Sequence, residues 1–352
     1  MTLDQRTPPL PVPPVERHSG IGACRRIAIA LFSACALGMG SGAALAQADD
    51  DSKYPQRPIK FIVPLAAGGV ADVMSRMVAE HLQNKWGQPV VVENRPGAGT
   101  SIGMAVVAKA KPDGYTIGMG NIAANAIFPA LQPDKAPYHP INDFAPVSLV
   151  GMTPSLLVVN ADKIAARTLP ELVTYLKANP GKVSFGSSGT GTSLHIGMEL
   201  FMIKTGTSMV HIPYKGSAPM LVDLLSGQID LALDALSTSG PHIQSGKLRA
   251  LGVTSAERAF FAPDVPAIRE HIPGFEVNAW HGVMAPAGTS DFIITKLSTE
   301  IQAFLRLPAT EAKLRDRGVI RVGSTPSAFR TLISKDIELY KSVIQQAGIK
   351  AE

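Results

Sequence analysis

The chain has 352 residues, of which 45% are hydrophobic and 17% charged, and its formal net charge at pH 7 is +5. This composition is that of a globular protein and not of a disordered one, and the length suits about two domains. Lysine and arginine are spread along the chain without a cluster, so we predict no nucleic-acid-binding face and no nucleic-acid partner.

The N-terminal segment has the three-part layout of a secretory signal. Arg25 and Arg26 precede the apolar run IAIALFSACALGMG, which is followed by small residues ending in AALAQA. The apolar run is shorter than the roughly 20 residues of a membrane-spanning helix. We therefore predict a signal peptide over 1–46, cleavage after Ala46 with Ala48 as second choice, and a periplasmic mature protein. Export by the general or the twin-arginine route stays open.

Both cysteines, Cys24 and Cys35, lie within the predicted signal peptide. The mature chain would then have no thiol for a disulfide, a metal site or a nucleophile. Acylation of Cys35, as in a lipoprotein, is a weaker alternative because Phe32 occupies the position where leucine is usual.

The rest of the sequence alternates strand-like apolar runs with amphipathic helical patterns, which predicts an α/β fold with a parallel or mixed sheet covered on both faces. The predicted strands are IKFIVP, PVVVENR, YTIGMG, VSLVGM with SLLVVN, VSFGSS, MVHIPY, IDLALDA and LRALGVT.

Three helices have clear signals. In 70–86, apolar residues recur at three- and four-residue steps until Gly87 ends the pattern. A second helix is predicted over 169–178 because Thr168 and Glu171 have capping-box spacing, and a third begins near Ser193. The stretch 121–146 lacks periodicity and is predicted to be irregular surface structure with one short helix.

Catalytic motifs are incomplete. GAGTSI at 97–102 and GTGTSL at 189–194 lack the third glycine of a dinucleotide fingerprint, so no cofactor is predicted. Histidines are not paired at metal-binding spacing, so no metal site is predicted.

One enzymatic alternative stays open, hydrolysis of a carboxylated ester, if Ser188 and His195 meet in space. The favoured interpretation is that His195 lies in the first turn of a helix and hydrogen-bonds locally.

Three polar, glycine-bearing loops lead into helices. We name them the first loop (AAGGVAD, 66–72), the second loop (SSGTGTSLH, 187–195) and the third loop (YKGSAP, 214–219). Free amides at a helix start carry partial positive charge and bind carboxylates or phosphates without a side-chain cation. Glycine lets an anion approach the backbone closely. Three such loops in one chain favour ligand binding over a purely structural role.

These stretches also carry a resemblance to a known family. The sequence resembles the Bug family, the periplasmic solute receptors of tripartite tricarboxylate transporters, over about residues 54–350. The matching stretches are YPQRPIKFIVPLAAGGVAD, GQPVVVENRPGAG, KPDGYTIGMGN, FGSSGTGTSLH, HIPYKGSAPMLVDLLSGQIDLALD, LRALGVTSAER and WHGVMAPAGT.

The resemblance implies a two-lobe, type II periplasmic-binding-protein fold with two strands crossing between the lobes. The crossings would lie near 147–159 and 248–254. Lobe 1 would then comprise 54–150 and 255–352, and lobe 2 would comprise 151–254. The implied protein is not an enzyme. It is a monomeric receptor that binds a small carboxylate between the lobes and delivers it to membrane permease subunits.

The resemblance also implies which residues contact the ligand. The ligand-binding positions are Leu65, Ala67, Gly68, Gly69, Asp72, Asn121, Ser187, Ser188, Gly189, Thr190, Thr192, His195, Tyr214, Gly216 and Asp234. Two of them have strong structural alternatives. Asp72 can simply offset the helix dipole, and Asp234 would repel a carboxylate unless it binds an amino group or water. Family members often have Pro and Gly where this chain has Ala66 and Ala67, so the shape of the first loop is not inherited unchanged.

Overall fold

Two β-sheets organise the described part of the chain. The structure, a computed structural model, describes residues 51–350, so the predicted signal peptide with Cys24 and Cys35 lies outside it. The strands are β1 (Ile59–Val63), β2 (Val90–Asn94), β3 (Thr116–Asn121), β4 (Phe144–Pro154), β5 (Leu156–Asn160), β6 (Ser184–Ser187), β7 (Val210–Pro213), β8 (Leu231–Asp234), β9 (Leu248–Val253), β10 (Asn278–Pro286) and β11 (Ile320–Arg321).

The first sheet has the strand order β11-β4-β10-β3-β1-β2, and the second has the order β7-β6-β8-β5-β9. β1 pairs in parallel with β2 and β3, whereas β10 is antiparallel to β3 and β4. Every predicted strand is present, and the mixed sheet confirms the α/β prediction. β10 and β11 were not predicted as strands. β10 was not recognised in the sequence because register shifts after His281 and Val283 interrupt the alternation of inward- and outward-facing residues along the strand.

Helices cover the sheets. They are α1 (Val70–Trp86), α2 (Ser101–Ala108), α3 (Phe128–Leu131), α4 (Leu169–Ala178), α5 (Ser193–Thr205), α6 (Ser217–Ser226), α7 (Leu236–Gln244), α8 (Asp291–Leu305), α9 (Pro308–Arg315) and α10 (Pro326–Ala347). The three helices predicted from sequence are confirmed as α1, α4 and α5. Gly87 ends α1 in a left-handed conformation, and the Thr168 hydroxyl accepts the Glu171 amide at the start of α4. Within residues 51–350, none of the helices is long and apolar enough to cross a membrane.

The short helix predicted within 121–146 is confirmed as α3, but the prediction of irregular surface structure was wrong for the residues just before it. A π-helical turn, Ala123–Ile127, runs directly into α3, and residues 124–127 are buried. The turn packs against α10 from the far end of the chain. The Asn125 side-chain oxygen accepts the Asn121 amide at 3.2 Å. A buried asparagine within an apolar stretch disguises the helical pattern, which explains the error.

The chain changes sheets abruptly after β4, because β4 ends at Pro154 in the first sheet and β5 begins at Leu156 in the second. On the way back, the segment between β9 and β10 stays beside the second sheet. Phe275 packs edge-on against Phe201 of α5 with ring centroids 6.3 Å apart, and the Val277 amide donates to the Thr254 carbonyl at 3.1 Å. The lobe limits stay a prediction, and we propose a return crossing near Val277 instead of at 254.

Three hydrophobic cores hold the sheets and helices together. One core lies between the first sheet and helices α1 and α8, and another lies among β5, β9, α6 and α7. A third extends between the sheets and includes Phe185, Trp280 and Phe329. Helix α10 packs against both β4 and α5, so it contacts elements of both sheets.

Candidate ligand-binding cleft

The first loop leaves β1 and enters α1 with its backbone open to solvent. Residues 66–69 are exposed. Gly69 is the N-cap of α1 in an extended conformation (φ −73°, ψ 170°), and as a glycine it supplies no side-chain acceptor to the amides of the first turn. The first amides of a helix have no partner within the helix. These amides are therefore presented to whatever occupies the space in front of the loop.

Asp72 is part of the scaffold of the first loop. Its side chain is 3% exposed, and it accepts the Gly68 amide at 2.9 Å, Arg76 Nε at 3.0 Å and Asn94 Nδ2 at 2.9 Å. Burial opposes ionisation, but these hydrogen bonds together outweigh it and lower the pKa of Asp72 to about 2. The same Asn94 amide group donates to the Leu65 carbonyl at 3.0 Å. Asp72 thus fixes the loop and engages the Gly68 amide.

The second loop is bound to itself. The Gly189 carbonyl accepts the Thr192 hydroxyl at 2.8 Å and the Ser187 hydroxyl lies 3.1 Å from it, while the Gly189 amide donates back to Ser187 Oγ at 3.2 Å. Thr192 Oγ also accepts the His195 amide at 3.4 Å and so caps α5. Gly189 and Gly191 have φ of 137° and 74°, a region that favours glycine.

Two stacked histidines lie beneath the second loop. His195 Nδ1 accepts the Gly191 amide at 3.0 Å, and its ring stacks on His211 with centroids 3.7 Å apart. His211 Nε2 lies 2.7 Å from Ser187 Oγ. Burial, together with the neighbouring His195, lowers the pKa of His211 to about 4. The local hydrogen bonding expected for His195 is confirmed. The role of His211 was missed, because no motif marks it.

The third loop is joined to the second. The amides of Tyr214 and Gly216 donate to the carbonyls of Ser187 and Ser188 at 3.1 and 3.2 Å. The Tyr214 hydroxyl turns away and donates to Asp223 at 2.7 Å. Burial and this carboxylate raise the pKa of Tyr214 to about 12. Gly216 (φ 107°) caps α6.

Asp234 and Asn121 end two strands in buried positions. Asp234 Oδ2 accepts the Thr238 hydroxyl at 2.6 Å, while its Oδ1 has no hydrogen-bond partner among the described residues. Burial raises the pKa of Asp234 despite hydroxyl groups nearby. Asn121 Oδ1 accepts the Ala124 amide at 3.0 Å and the Thr100 hydroxyl at 3.2 Å, and within the described residues its Nδ2 has no partner.

A cavity of about 730 Å³ lies between the second loop and residues on the side of the molecule that contains the first sheet. Ser188, Thr190 and Thr192 line it, whereas the other predicted ligand-binding residues do not. The opposite wall was not predicted. Its residues are Ala98, Gly99, Ser101, Ala123, Ile127, Phe128, Leu131, Gln132, Lys135 and Pro137.

Part of that wall is a strained loop. All four residues of Gly97–Thr100 have positive φ, and Ala98 and Thr100 are not glycines. Strain of this kind is stored preferentially at functional sites. In the sequence, GAGTS is a failed dinucleotide motif whose first three residues belong to a family-like stretch, no ligand contacts are predicted for it, and its two glycines were the available signal.

Comparison with known proteins shows where this geometry belongs. Residues 74–349 match the TctC family, described as the tripartite tricarboxylate transporter family receptor. The chain belongs to this family. BugT of Bordetella pertussis is 40% identical over 299 residues, which are 84% of this chain and 91% of BugT.

Two solved structures of family-like proteins carry ligands. Rpa4515 of Rhodopseudomonas palustris, solved with adipate, is 34% identical, has a TM-score of 0.70 and aligns with 84% of this chain and 99% of its own. MatC of the same organism, solved with bound malate, is 30% identical with a TM-score of 0.65, covering 83% of this chain and 100% of its own. The TctC receptor described here thus has the two-lobe fold of periplasmic binding proteins.

Membership in the TctC family also decides between the receptor and the hydrolase. The family is one of solute-binding receptors and not of enzymes. The geometry agrees, because His195 directs Nδ1 to Gly191 and Nε2 to Glu199 Oε1, 3.4 Å away. The ester-hydrolysis alternative through Ser188 and His195 is therefore wrong. Across residues 51–350, no three histidine, cysteine or acidic side chains converge in a way that could hold a metal ion.

Proposed function

We propose that this protein is a periplasmic receptor that binds a small carboxylate between its lobes and delivers it to the permease of a tripartite tricarboxylate transporter. The observation that carries the proposal is the pair of helix starts, at α1 and α5, whose loops belong to different sheets. Each helix start presents backbone amides or hydroxyl groups as donors, and among the described residues no negatively charged side chain beside it points into the space where the ligand would bind. The adipate and malate bound by the two relatives support a carboxylate ligand.

The contacts we propose form two groups. The amides of Ala67 and Gly69 would hold the ligand from the first loop, and the hydroxyls of Ser188 and Thr190 would hold it from the second, where Thr192 donates its hydroxyl to the Gly189 carbonyl and fixes the loop. Ser187, Gly189, His195, Tyr214 and Gly216 would shape the second group from behind, as their mutual hydrogen bonds indicate. Leu65, Gly68 and Asp72 would do the same for the first. Asn121 and Asp234 have unused polar atoms and would contact the ligand through water.

Binding is tested by calorimetry on the purified mature protein with mono-, di- and tricarboxylates. A screen by thermal shift comes first, because a ligand at a hundredfold excess over its dissociation constant should stabilise the native state by roughly 2.7 kcal/mol. At least one carboxylate should bind, while amines and neutral sugars should not. Binding confined to non-acidic compounds would contradict the proposal.

The first loop does not line the cavity next to the second, so we propose that the lobes close on the ligand. Closure must be driven by tighter ligand binding to the closed state, since equal affinity would shift no population. Small-angle scattering should show a smaller radius of gyration for the wild type with ligand. The double variant Thr190→Ala, Thr192→Ala should bind more weakly and stay more open at the same ligand concentration. An unchanged wild-type radius would refute closure but not binding.

Location in the periplasm is proposed from the family and from the signal-like residues 1–46. The intact mass of the native protein should correspond to a chain starting at Gln47 or Asp49. A native mass that includes residues 1–46 would overturn processing.

A further inference from the structure

We infer that the bound carboxylate has an apolar body, an aliphatic chain or an aromatic ring, and not a hydroxylated one. This inference rests on the proposed function and names the class of ligand. It is carried by the two unlike walls of the 730 Å³ cavity beside the second loop. A volume of this size is typical of a small-molecule site.

One wall is polar and uncharged. It consists of Ser188, Thr190–Thr192 and Ser193, which lead into α5. Thr192 faces α5 as its cap, and the first turn of this 13-residue helix begins at Ser193. The ionised group of a ligand would find donors here, and no acidic side chain lines the cavity to repel it.

The facing wall carries an apolar patch. Ala98, Ala123, Ile127, Phe128 and Leu131 form it, and Phe128 and Leu131 are partly exposed. Such a surface gains free energy by covering apolar atoms. The polar residues of this wall, Ser101, Gln132 and Lys135, lie outside the patch, and hydroxyl groups placed against the patch itself would lose hydrogen bonds to water.

The two walls meet at one point, so a ligand held by the polar loop must also touch the apolar wall. A methyl group built on Gly191 would lie 2.6 Å from Leu131 Cδ2. Leu131 therefore rests directly on the backbone of the second loop. A ligand carboxylate at this loop has its adjacent carbon atoms against Leu131 and Phe128.

Lys135 is the single ionisable residue among those that line the cavity. It is exposed at the end of a short helical turn, Pro133–Lys135, beyond α3. A second carboxylate on the ligand would meet Lys135 in solvent, where an ion pair contributes little. The cavity thus accepts a diacid or a monoacid, and the apolar body is the shared feature that it selects.

The test compares acids of equal length by calorimetry on the mature protein. Adipate is paired with galactarate, the same six-carbon diacid with four hydroxyl groups, and hexanoate is paired with gluconate. The apolar member of each pair should bind about tenfold to a hundredfold more tightly. Equal or tighter binding of the hydroxylated acids would overturn the inference and leave the carboxylate receptor intact. If no carboxylate bound in any panel, the proposed function itself would fail.

Variants of the apolar wall distinguish a ligand contact from a structural effect. Leu131→Asn and Phe128→Asn should narrow the preference for adipate over galactarate, by weakening adipate binding alone. Val106→Asn, on the exposed face of α2 and outside the cavity lining, is the matched control and should leave both affinities unchanged. Equal weakening of both acids by Leu131→Asn would mean that the wall only supports the fold. Lys135→Gln should weaken adipate more than hexanoate, which separates the diacid from the monoacid.

Discussion

The first and second loops, which we propose both contact the ligand, are held in place in different ways. The first loop is exposed, and a carboxylate, Asp72, fixes it from below. The second loop is held by its own hydroxyls and by the stacked His195 and His211. The first loop therefore has open space for an added side chain at Gly69, whereas the second loop is tightly packed and pre-organised. From this difference we expect substitutions in the first loop to change ligand affinity without changing stability. Substitutions in the second loop should change both.

The largest effect is expected for Gly191→Ala in the second loop. Gly191 has φ 74°, so alanine should cost about 1–2 kcal/mol of unfolding free energy. The new methyl group must also displace Leu131, whose Cδ2 would be 2.6 Å away. We expect ligand affinity to fall about tenfold or more in addition to the loss of stability. Urea unfolding and calorimetry measure the two effects.

Gly206→Ala is the matched control for that variant. Gly206 ends α5 with φ 63°, and a methyl group there meets no atom within 4 Å. The control should lose similar stability and keep wild-type affinity. If both variants bound the ligand normally, the second loop would not be a ligand contact.

A smaller total effect is expected for Gly69→Val in the first loop, because it should act on affinity alone. Gly69 has an ordinary extended conformation, and the nearest atom to an added Cβ is the Ala66 carbonyl oxygen at 3.7 Å. Unfolding free energy should stay within about 0.5 kcal/mol of the wild type. Affinity should fall about tenfold, because the side chain blocks approach to the amides, and Gly69→Ala should give an intermediate value. Wild-type affinity in a folded Gly69→Val protein would place the ligand elsewhere.

The contrast between the loops also marks what could be predicted from the sequence. Helix α1, its end at Gly87 and the cap at Thr168 follow local rules, namely apolar spacing, left-handed glycine and side-chain capping. The place of the crossing near 147–159 came from the family resemblance and not from a local rule. A local rule also suggested that Asp72 offsets the helix dipole, but its hydrogen bond to the Gly68 amide was not predicted.

Long-range juxtapositions could not be predicted. His211 lies on β7, and only the fold brings its ring onto His195 and its nitrogen to Ser187. The apolar wall of the cavity comes from the stretch 121–146, whose helical turn is stabilised by contacts with α10 near the C-terminus. A single sequence carries no signal for such pairs, so the walls that select a ligand are the part that needs a structure.

In acid, the two loops should lose stability in different pH ranges. The pKa of His211 falls from 6.5 to about 4 on folding, so the folded protein binds fewer protons and loses stability as the pH falls from about 6.5 to 4. Asp72 has a lowered pKa of about 2 instead of 3.8, so its contribution is lost only as the pH falls from 3.8 to 2. Urea unfolding from pH 8 to pH 2 should separate the two.

Single variants assign each range to its loop. His211→Gln should flatten the dependence between pH 6.5 and 4, and Asp72→Asn should leave that range unchanged and differ from the wild type below pH 4. Three other buried groups also contribute in acid. His281 has the sign of His211, whereas Asp234 and Asp336, whose pKa values burial raises, have the opposite sign. They are present in both variants and in the wild type, so they cancel in the differences. If His211→Gln and Asp72→Asn altered the same pH range, the stacked histidines would not account for the stability that is lost between pH 6.5 and 4. The two loops would then not differ in how their ionisable groups stabilise the protein.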